Sequence, residues 1–347
     1  MVVAEPLEFD KVPWEELDRF PDRSVFQTRG WLEYLRESQH ATPVVLALTQ
    51  RGTIGGYFTG ATVRKFGVCM LGSPLPGWNT PCMGFNLTPA VTPLEALAAV
   101  ERYAFRRLGC RHLEVCDPSF SLADGLCLDF RPGTYLTYST DLTRTEDELF
   151  SRMDSACRRC IRKAERELVV EHAEAANFAE EYFEQLREVI AKQGIQPTYG
   201  INRVRSLIRH MLPTGNLLLL RARNSEGLGI GTGIYPGFGA GALFWGNASW
   251  RAWQQLRPNE ALHWYAMRYW KSRGVRVFDW GGRSAAGGRS VYKEKFGVEK
   301  LDIPRFMQSH PRMLGTLRTY AVGLYHWRLR ITERIRVGAH PRAAHSG

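Results

Sequence analysis

Apolar and polar positions recur along this chain in one order, twice. Residues 44–49, 54–63 and 68–71 read as strands, β-branched and aromatic, with a glycine turn after Arg51. A helix follows. Proline opens it at Pro93, where the missing N–H has no partner to lose. Leu97, Val100, Ala104 and Leu108 fall at three- and four-residue spacing. Gly109 supplies the left-handed stop, and 112–116 reads as a short strand. The second pass has strands at 217–221, 230–235 and 242–245. Its helix opens at Pro258 with Leu262, Tyr265 and Tyr269 on the apolar stripe. Gly274 ends it, and 276–280 is the closing strand.

The two passes are in register. Pro-Leu-Glu-Ala-Leu at 93–97 returns as Pro-Asn-Glu-Ala-Leu at 258–262, and the same offset of 165 residues relates Gly109 to Gly274, Arg111 to Arg276, and the acids Glu114 and Asp279. A fixed offset with the same element order is an internal duplication. Three strands, a helix and a strand form the order of a GNAT core. The expectation is therefore an α/β (α+β) chain, a tandem pair of GNAT-like domains with mixed central sheets. Domain one is placed at 1–146 and domain two at 147–308. A basic helical tail at 309–347 carries Leu314, Leu317, Tyr320, Leu324, Trp327 and Ile331 at helical spacing. It is expected to pack back on domain one, the alternative being a membrane surface.

Composition narrows the class. Of 347 residues, 44% are hydrophobic and 12% aromatic, which fills two cores and excludes a disordered chain. No apolar run approaches the ~18 residues of a membrane span. The acidic, proline-broken start lacks the pattern of a signal peptide. Seven scattered cysteines indicate a reduced, cytoplasmic compartment. Cys157 and Cys160 form a CxxC without a second pair, so no metal is expected. The net charge of +11 suits a polyanionic partner, or records a preference for arginine.

Four segments resemble the Fem family. Phe26-Gln-Thr-Arg-Gly-Trp31 is similar to its opening motif, and Arg158-Arg-Cys-Ile-Arg-Lys-Ala-Glu-Arg166 to its basic junction helix. Trp264 to Gly274, followed by Phe278-Asp-Trp-Gly-Gly282, resembles its glycine-pair stretch. Tyr292-Lys-Glu-Lys-Phe-Gly297 resembles its Phe-Lys signature. The resemblance implies twin GNAT-like domains, aminoacyl-tRNA as co-substrate with no further cofactor, and an amine acceptor on a peptidoglycan precursor or a small natural product. The family's coiled-coil arm is absent from this sequence. A broader group sharing the second domain, linked to exopolysaccharide production, implies acyl-CoA instead.

The residues themselves disfavour coenzyme A. A GNAT pyrophosphate loop needs glycines whose backbone N–H groups approach the phosphates at a helix N-terminus. Here that loop reads Gln254-Gln-Leu-Arg-Pro-Asn-Glu260; it has no glycine, a proline that removes a donor, and an acid that repels phosphate. Residues 91–95 share the defect. Arg251 and Arg257 are the side chains that remain for a phosphate. Arg158, Arg162 and Arg166 fall on one helical face, flanked by Arg159 and Lys163, a stripe suited to the phosphates of a tRNA stem or simply to a solvated face.

The reaction expected is aminolysis of an activated ester, with no covalent intermediate. Lys293, the signature lysine, is expected to contact the aminoacyl end or oxyanion, with Tyr292 shaping the pocket. Asp279 at a strand end is expected to orient the amine or act as base. Arg283 and Arg289 in the glycine-rich loop are candidates for phosphate or carboxylate. Trp245 and Asn247 close the third strand of domain two, with Gln193 and Tyr199 as further substrate contacts. Gln193 or Lys192 stands where the family has an arginine near a nucleotide phosphate. That shifts weight from a UDP-linked precursor to a small amine of antibiotic biosynthesis. A monomer is expected. A non-catalytic RNA-binding module is the third reading.

Overall fold

The computed structural model describes residues 1–191, 197–282 and 292–311. The first part of the chain forms β1 (Val2–Pro6), α1 (Trp14–Leu17), α2 (Arg29–Gln39), β2 (Thr42–Gln50), β3 (Thr53–Lys65), β4 (Val68–Ser73), β5 (Gly84–Leu87), α3 (Pro93–Arg102), β6 (His112–Cys116), α4 (Leu122–Leu126) and β7 (Arg131–Asp141). Then come α5 (Glu146–Arg152), α6 (Ser155–Glu167), β8 (Val169–His172), α7 (Phe178–Ala191), α8 (Ile201–Met211) and β9 (Leu217–Arg223). The last part forms β10 (Gly229–Phe238), β11 (Gly241–Leu243), β12 (Gly246–Ser249), α9 (Pro258–Ser272), β13 (Val277–Gly282) and β14 (Glu299–Ser309). The tail from 312 onward lies outside the described residues, as do Lys192, Gln193, Arg283 and Arg289. No described helix is long and apolar enough to cross a membrane, and the longest, α9, has 15 residues.

Local chemistry sets the helix ends. Thr28 accepts the Trp31 N–H at the start of α2, and Thr92–Glu95 and Thr145–Glu148 form reciprocal capping boxes on α3 and α5. Gly109 and Gly274 have φ of 63° and 82°, the left-handed conformation expected at those stops. In the first copy the helix first passes through a π turn at Tyr103–Arg107.

All the described strands join one mixed sheet, with a main path in the order β1-β2-β3-β4-β6-β14-β7-β13-β11-β10-β9-β8. Among the described strands only β4–β6 and β11–β13 pair in parallel. The two halves exchange strands at the centre. β14, from the end of the second half, inserts between β6 and β7, and β7 in turn pairs with β13.

Each parallel pair opens into a wedge. Along β3 the partner changes from β4 to β5, and residues 74–83 loop out between them. Along β10 it changes from β11 to β12 with only Phe244 and Trp245 between. The single strand expected at 242–245 is therefore interrupted. Trp245 N–H turns to Ile234 O, while Phe244 N–H still reaches Asp279 O.

Among the described residues three cores hold the assembly. Leu46, Phe58, Leu97, Val100, Leu113 and Phe306 fill the α3 side of the first half. Leu218, Ile230, Leu262, Phe278 and Trp280 fill the α9 side of the second. Trp31, Tyr34, Tyr57, Tyr182, Leu207 and Trp245 form a third core shared by both halves. There α2 crosses α8 so closely that a Cβ on Gly30 would meet His210 O at 2.7 Å, which explains the glycine in the opening motif. Tyr265 and Tyr269 are only half-buried; Ala266, Met267 and Trp270 make the deeper face of α9.

Candidate active site

Side chains alternate faces along a strand, so the central register decides what meets. Glu114 and Cys116 on β6, Arg305 on β14, Tyr135 and Thr137 on β7, and Asp279 on β13 share one face. Glu114, Cys116, Tyr135 and Arg305 floor a cavity of about 250 Å³ whose roof is the segment from Pro74 to Pro81. Of these, the sequence had pointed to Asp279 as a site and to Glu114 only as its repeat counterpart. Tyr135, Thr137, Arg305 and the roof were missed. The equivalence of the two acids and the run Pro74-Leu-Pro-Gly-Trp-Asn were the available signals.

Asp279 stands where β11 and β12 part. Thr137 Oγ1 and Gly281 N–H both donate to its Oδ1, each at 2.6 Å. Oδ2 has no hydrogen-bond partner among the described residues. Loss of water around the carboxyl raises its pKa above the ordinary aspartate value. The Thr137 and Gly281 hydrogen bonds and the Lys293 charge oppose that shift. Tyr135 links Asp279 to the cavity: its hydroxyl accepts from Gly282 N–H, and burial and the Asp279 charge raise its pKa.

Lys293 is nearly buried at 9% exposure, and its ammonium donates to Gly281 O and Gly282 O at 3.0 Å each. The cation is thus fixed beside the Asp279 turn. Gly281 has φ 73°, which permits this turn. The rest of the signature builds the platform behind it. Phe296 stacks on Trp280 at 4.5 Å, and Tyr292 packs edge-on against His263 and Phe296. A Cβ on Gly297 would meet Arg152 O at 2.6 Å. His263 is fully buried among these rings and held neutral, its pKa driven down to about 3 by burial and by the charges of Lys295 and Lys293.

Lys295 corrects the reading of Glu260. The acid is buried in the first turn of α9 and paired with Lys295 Nζ at 2.6 Å, so it is not a free charge facing a phosphate. Access to the helix start is still poor, because Pro258 is also buried there. At the equivalent end of α3 the Thr92–Glu95 box occupies the N–H groups.

The other candidates divide. Trp245 is a core residue, its ring 5.2 Å from Tyr199, and Tyr199 shares a 2.7 Å hydrogen bond with Tyr182. Arg203 on α8 joins this cluster to the cavity roof, donating to Tyr34 Oη and Gly77 O. Asn247 is half-buried on β12, opposite Gly233. On α6, Arg158 donates to Ser151 O and Met153 O, fastening α6 to the end of α5; this corrects its place in the phosphate stripe. Arg162 lies over Phe150, and Arg159, Arg162 and Arg166 are exposed with Lys163 half-buried. Cys116 lines the cavity, but burial pushes its thiol up to about 12, which disqualifies it as a nucleophile. Among the described residues no cluster of three or more His, Cys, Asp or Glu could hold a metal.

Residues 151–294 match the family model of the acetyltransferase (GNAT) domain. The solved structure of FemX superposes with a TM-score of 0.75 at 14% identity, over 90% of this chain and 99% of that one. The chain has a Fem-type GNAT fold. A tandem GNAT protein from the clavulanic acid biosynthesis pathway superposes at 0.55 and 12% identity, over 89% and 98% of the two chains. The C-terminal domain of a putative lysylphosphatidylglycerol synthetase from Agrobacterium fabrum gives 0.53 at 12% identity, over 84% and 91%. No curated protein matches the sequence. The Fem-type fold accounts for the tandem wedges, and its second half carries an acyltransferase-type domain.

Proposed function

We propose that this protein is a tRNA-dependent aminoacyltransferase. It moves an amino acid from the ester of aminoacyl-tRNA to an amine on a natural-product intermediate or a peptidoglycan precursor, forming an amide. The observation that carries the reading is the placement of Asp279 and Lys293 on one turn at the end of β13: a half-buried carboxylate with one oxygen held, and an ammonium fixed by the Gly281 and Gly282 carbonyls. The incoming amine gives its proton to Asp279 Oδ2 as its nitrogen attacks the ester carbonyl. Lys293 stabilises the negative charge that develops on the carbonyl oxygen. The C–O bond to the terminal ribose then breaks, and the ribose oxygen takes the proton. Holding amine and ester together supplies roughly 7–11 kcal/mol in favourable cases. The acceptor lies in the cavity, and the exposed Arg159, Arg162 and Arg166, with Lys163, take phosphates of the tRNA.

The domain match at 151–294 favours a second reading, an acyl-CoA-dependent N-acyltransferase. Against it stand the closed start of α3 and the proline-blocked start of α9. Single-turnover transfer from a pool of radiolabelled aminoacyl-tRNAs, with cell extract as acceptor source, separates the two. Labelling of a product that ribonuclease abolishes is expected. Labelling from an acyl-CoA pool alone makes the second reading the function.

A further inference from the structure

The hairpin joining β3 to β4 ends in a residue that neither packing nor turn chemistry explains. Phe66 is fully exposed, at 105% of its reference area. Phe66 and Gly67 both have positive φ, 52° and 76°, a turn for which Asn-Gly is the favoured pair. The neighbouring β2–β3 hairpin makes the same kind of turn with Arg51-Gly52. An aromatic at a strained, wholly exposed position breaks a local rule for no gain to the fold.

The surroundings are cationic. Arg64 and Lys65 flank the tip and are exposed, as are Arg106, Arg107 and Arg111. The two groups adjoin: Arg111 N–H donates to Cys69 O at 2.8 Å, and the Arg64 charge acts on the Cys110 thiol. No acid lies within ion-pair distance of any of these five among the described residues. His310 N–H donates to Arg111 O, so the chain leaves this same edge at Pro311; the sequence beyond holds seven arginines and one glutamate.

We propose that this tip and its basic edge dock on an anionic bilayer surface, Phe66 entering the headgroup region while the arginines meet the lipid charge. A single ring on a projecting turn has no groove to track a nucleic-acid backbone. The tip lies beside the Met70–His112 end of the β4–β6 pair, and the cavity lies beyond the Ser73–Val115 end. A docked molecule therefore keeps its cavity turned away from the lipid.

The test is co-sedimentation of the full chain with phosphatidylcholine vesicles, with and without one-third phosphatidylglycerol. Binding only to the anionic vesicles is expected. Phe66→Asn, which installs the favoured Asn-Gly turn, should lower the partition coefficient by about tenfold or more. Its melting temperature should be equal or higher. Arg106→Glu with Arg107→Glu should lower partition by about tenfold again, an effect that salt erases. Undiminished binding by Phe66→Asn, equal binding to neutral vesicles, or no binding by the wild type overturns the proposal. So does a Phe66→Asn variant that loses affinity for an RNA oligonucleotide while keeping its affinity for vesicles.

Discussion

The two halves of the molecule carry the same strand with an acid at the same place, and treat that acid in opposite ways. Glu114, 2% exposed, is paired with Arg305 and lies 3.4 Å from His112. Asp279 is half-buried and bonded through one oxygen to a hydroxyl and a backbone N–H. The cation that neutralises Glu114 comes from β14, a strand contributed by the other half. The first wedge is roofed by the ten residues 74–83 between β4 and β5, whereas only Phe244 and Trp245 separate β11 from β12. The two wedges are equivalent in position, but strand exchange pairs the first acid with Arg305 above a lined cavity and leaves the second held through one oxygen only.

That contrast can be broken most severely at Asp279. Asp279→Asn should lower the single-turnover rate by about 10²–10⁴, the usual worth of a positioned base. In the wild type the rate should fall with decreasing pH as Asp279 takes up its proton. Because burial raises its pKa, that limb should lie above the ordinary aspartate value of about 3.9. Lys293→Met should cost about 10²–10³ in rate, as loss of an oxyanion partner does. Far-ultraviolet circular dichroism distinguishes this from loss of the Gly281–Gly282 turn. Reversing Arg159, Arg162 and Arg166 to Glu should raise KM for charged tRNA by about tenfold or more and flatten its salt dependence, with little change in kcat. The smallest effect concerns His263. It is neutral when folded, with a pKa of about 3 against 6.5 for the free group, so the unfolded chain binds the proton first as pH falls. Stability is therefore lost progressively below about pH 6.5. His263→Gln should flatten the fall of melting temperature between pH 6 and 4.

The duplicated helix and strand were legible because their signals are local. Pro93 and Pro258 start helices, Gly109 and Gly274 adopt the left-handed stop, and apolar spacing marks the buried face. Asp279 and Lys293 were legible through the glycine pair and the Tyr-Lys signature, which the fold brings onto one turn. What stayed hidden depends on pairing across long stretches of chain. No local pattern tells that residues 299–309 form a strand that inserts between β6 and β7 and carries Arg305 to Glu114. Thr137 and Tyr135 are ordinary β-formers until register sets them beside Asp279 and Gly282. Helical spacing grouped Arg158 with Arg162 and Arg166, but spacing cannot see the end of α5 that Arg158 caps.

The most direct test of the division of labour between the two acids is the single-turnover transfer rate of Glu114→Gln beside Asp279→Asn, each corrected for the folded fraction. Removing Glu114 leaves Arg305 without its partner and should cost about 3 kcal/mol of stability. Among folded molecules, however, Glu114→Gln should keep its rate within about tenfold of the wild type and retain the acidic limb, while Asp279→Asn loses both. Equal losses in the two variants, or an acidic limb that disappears with Glu114 and survives without Asp279, would contradict the account.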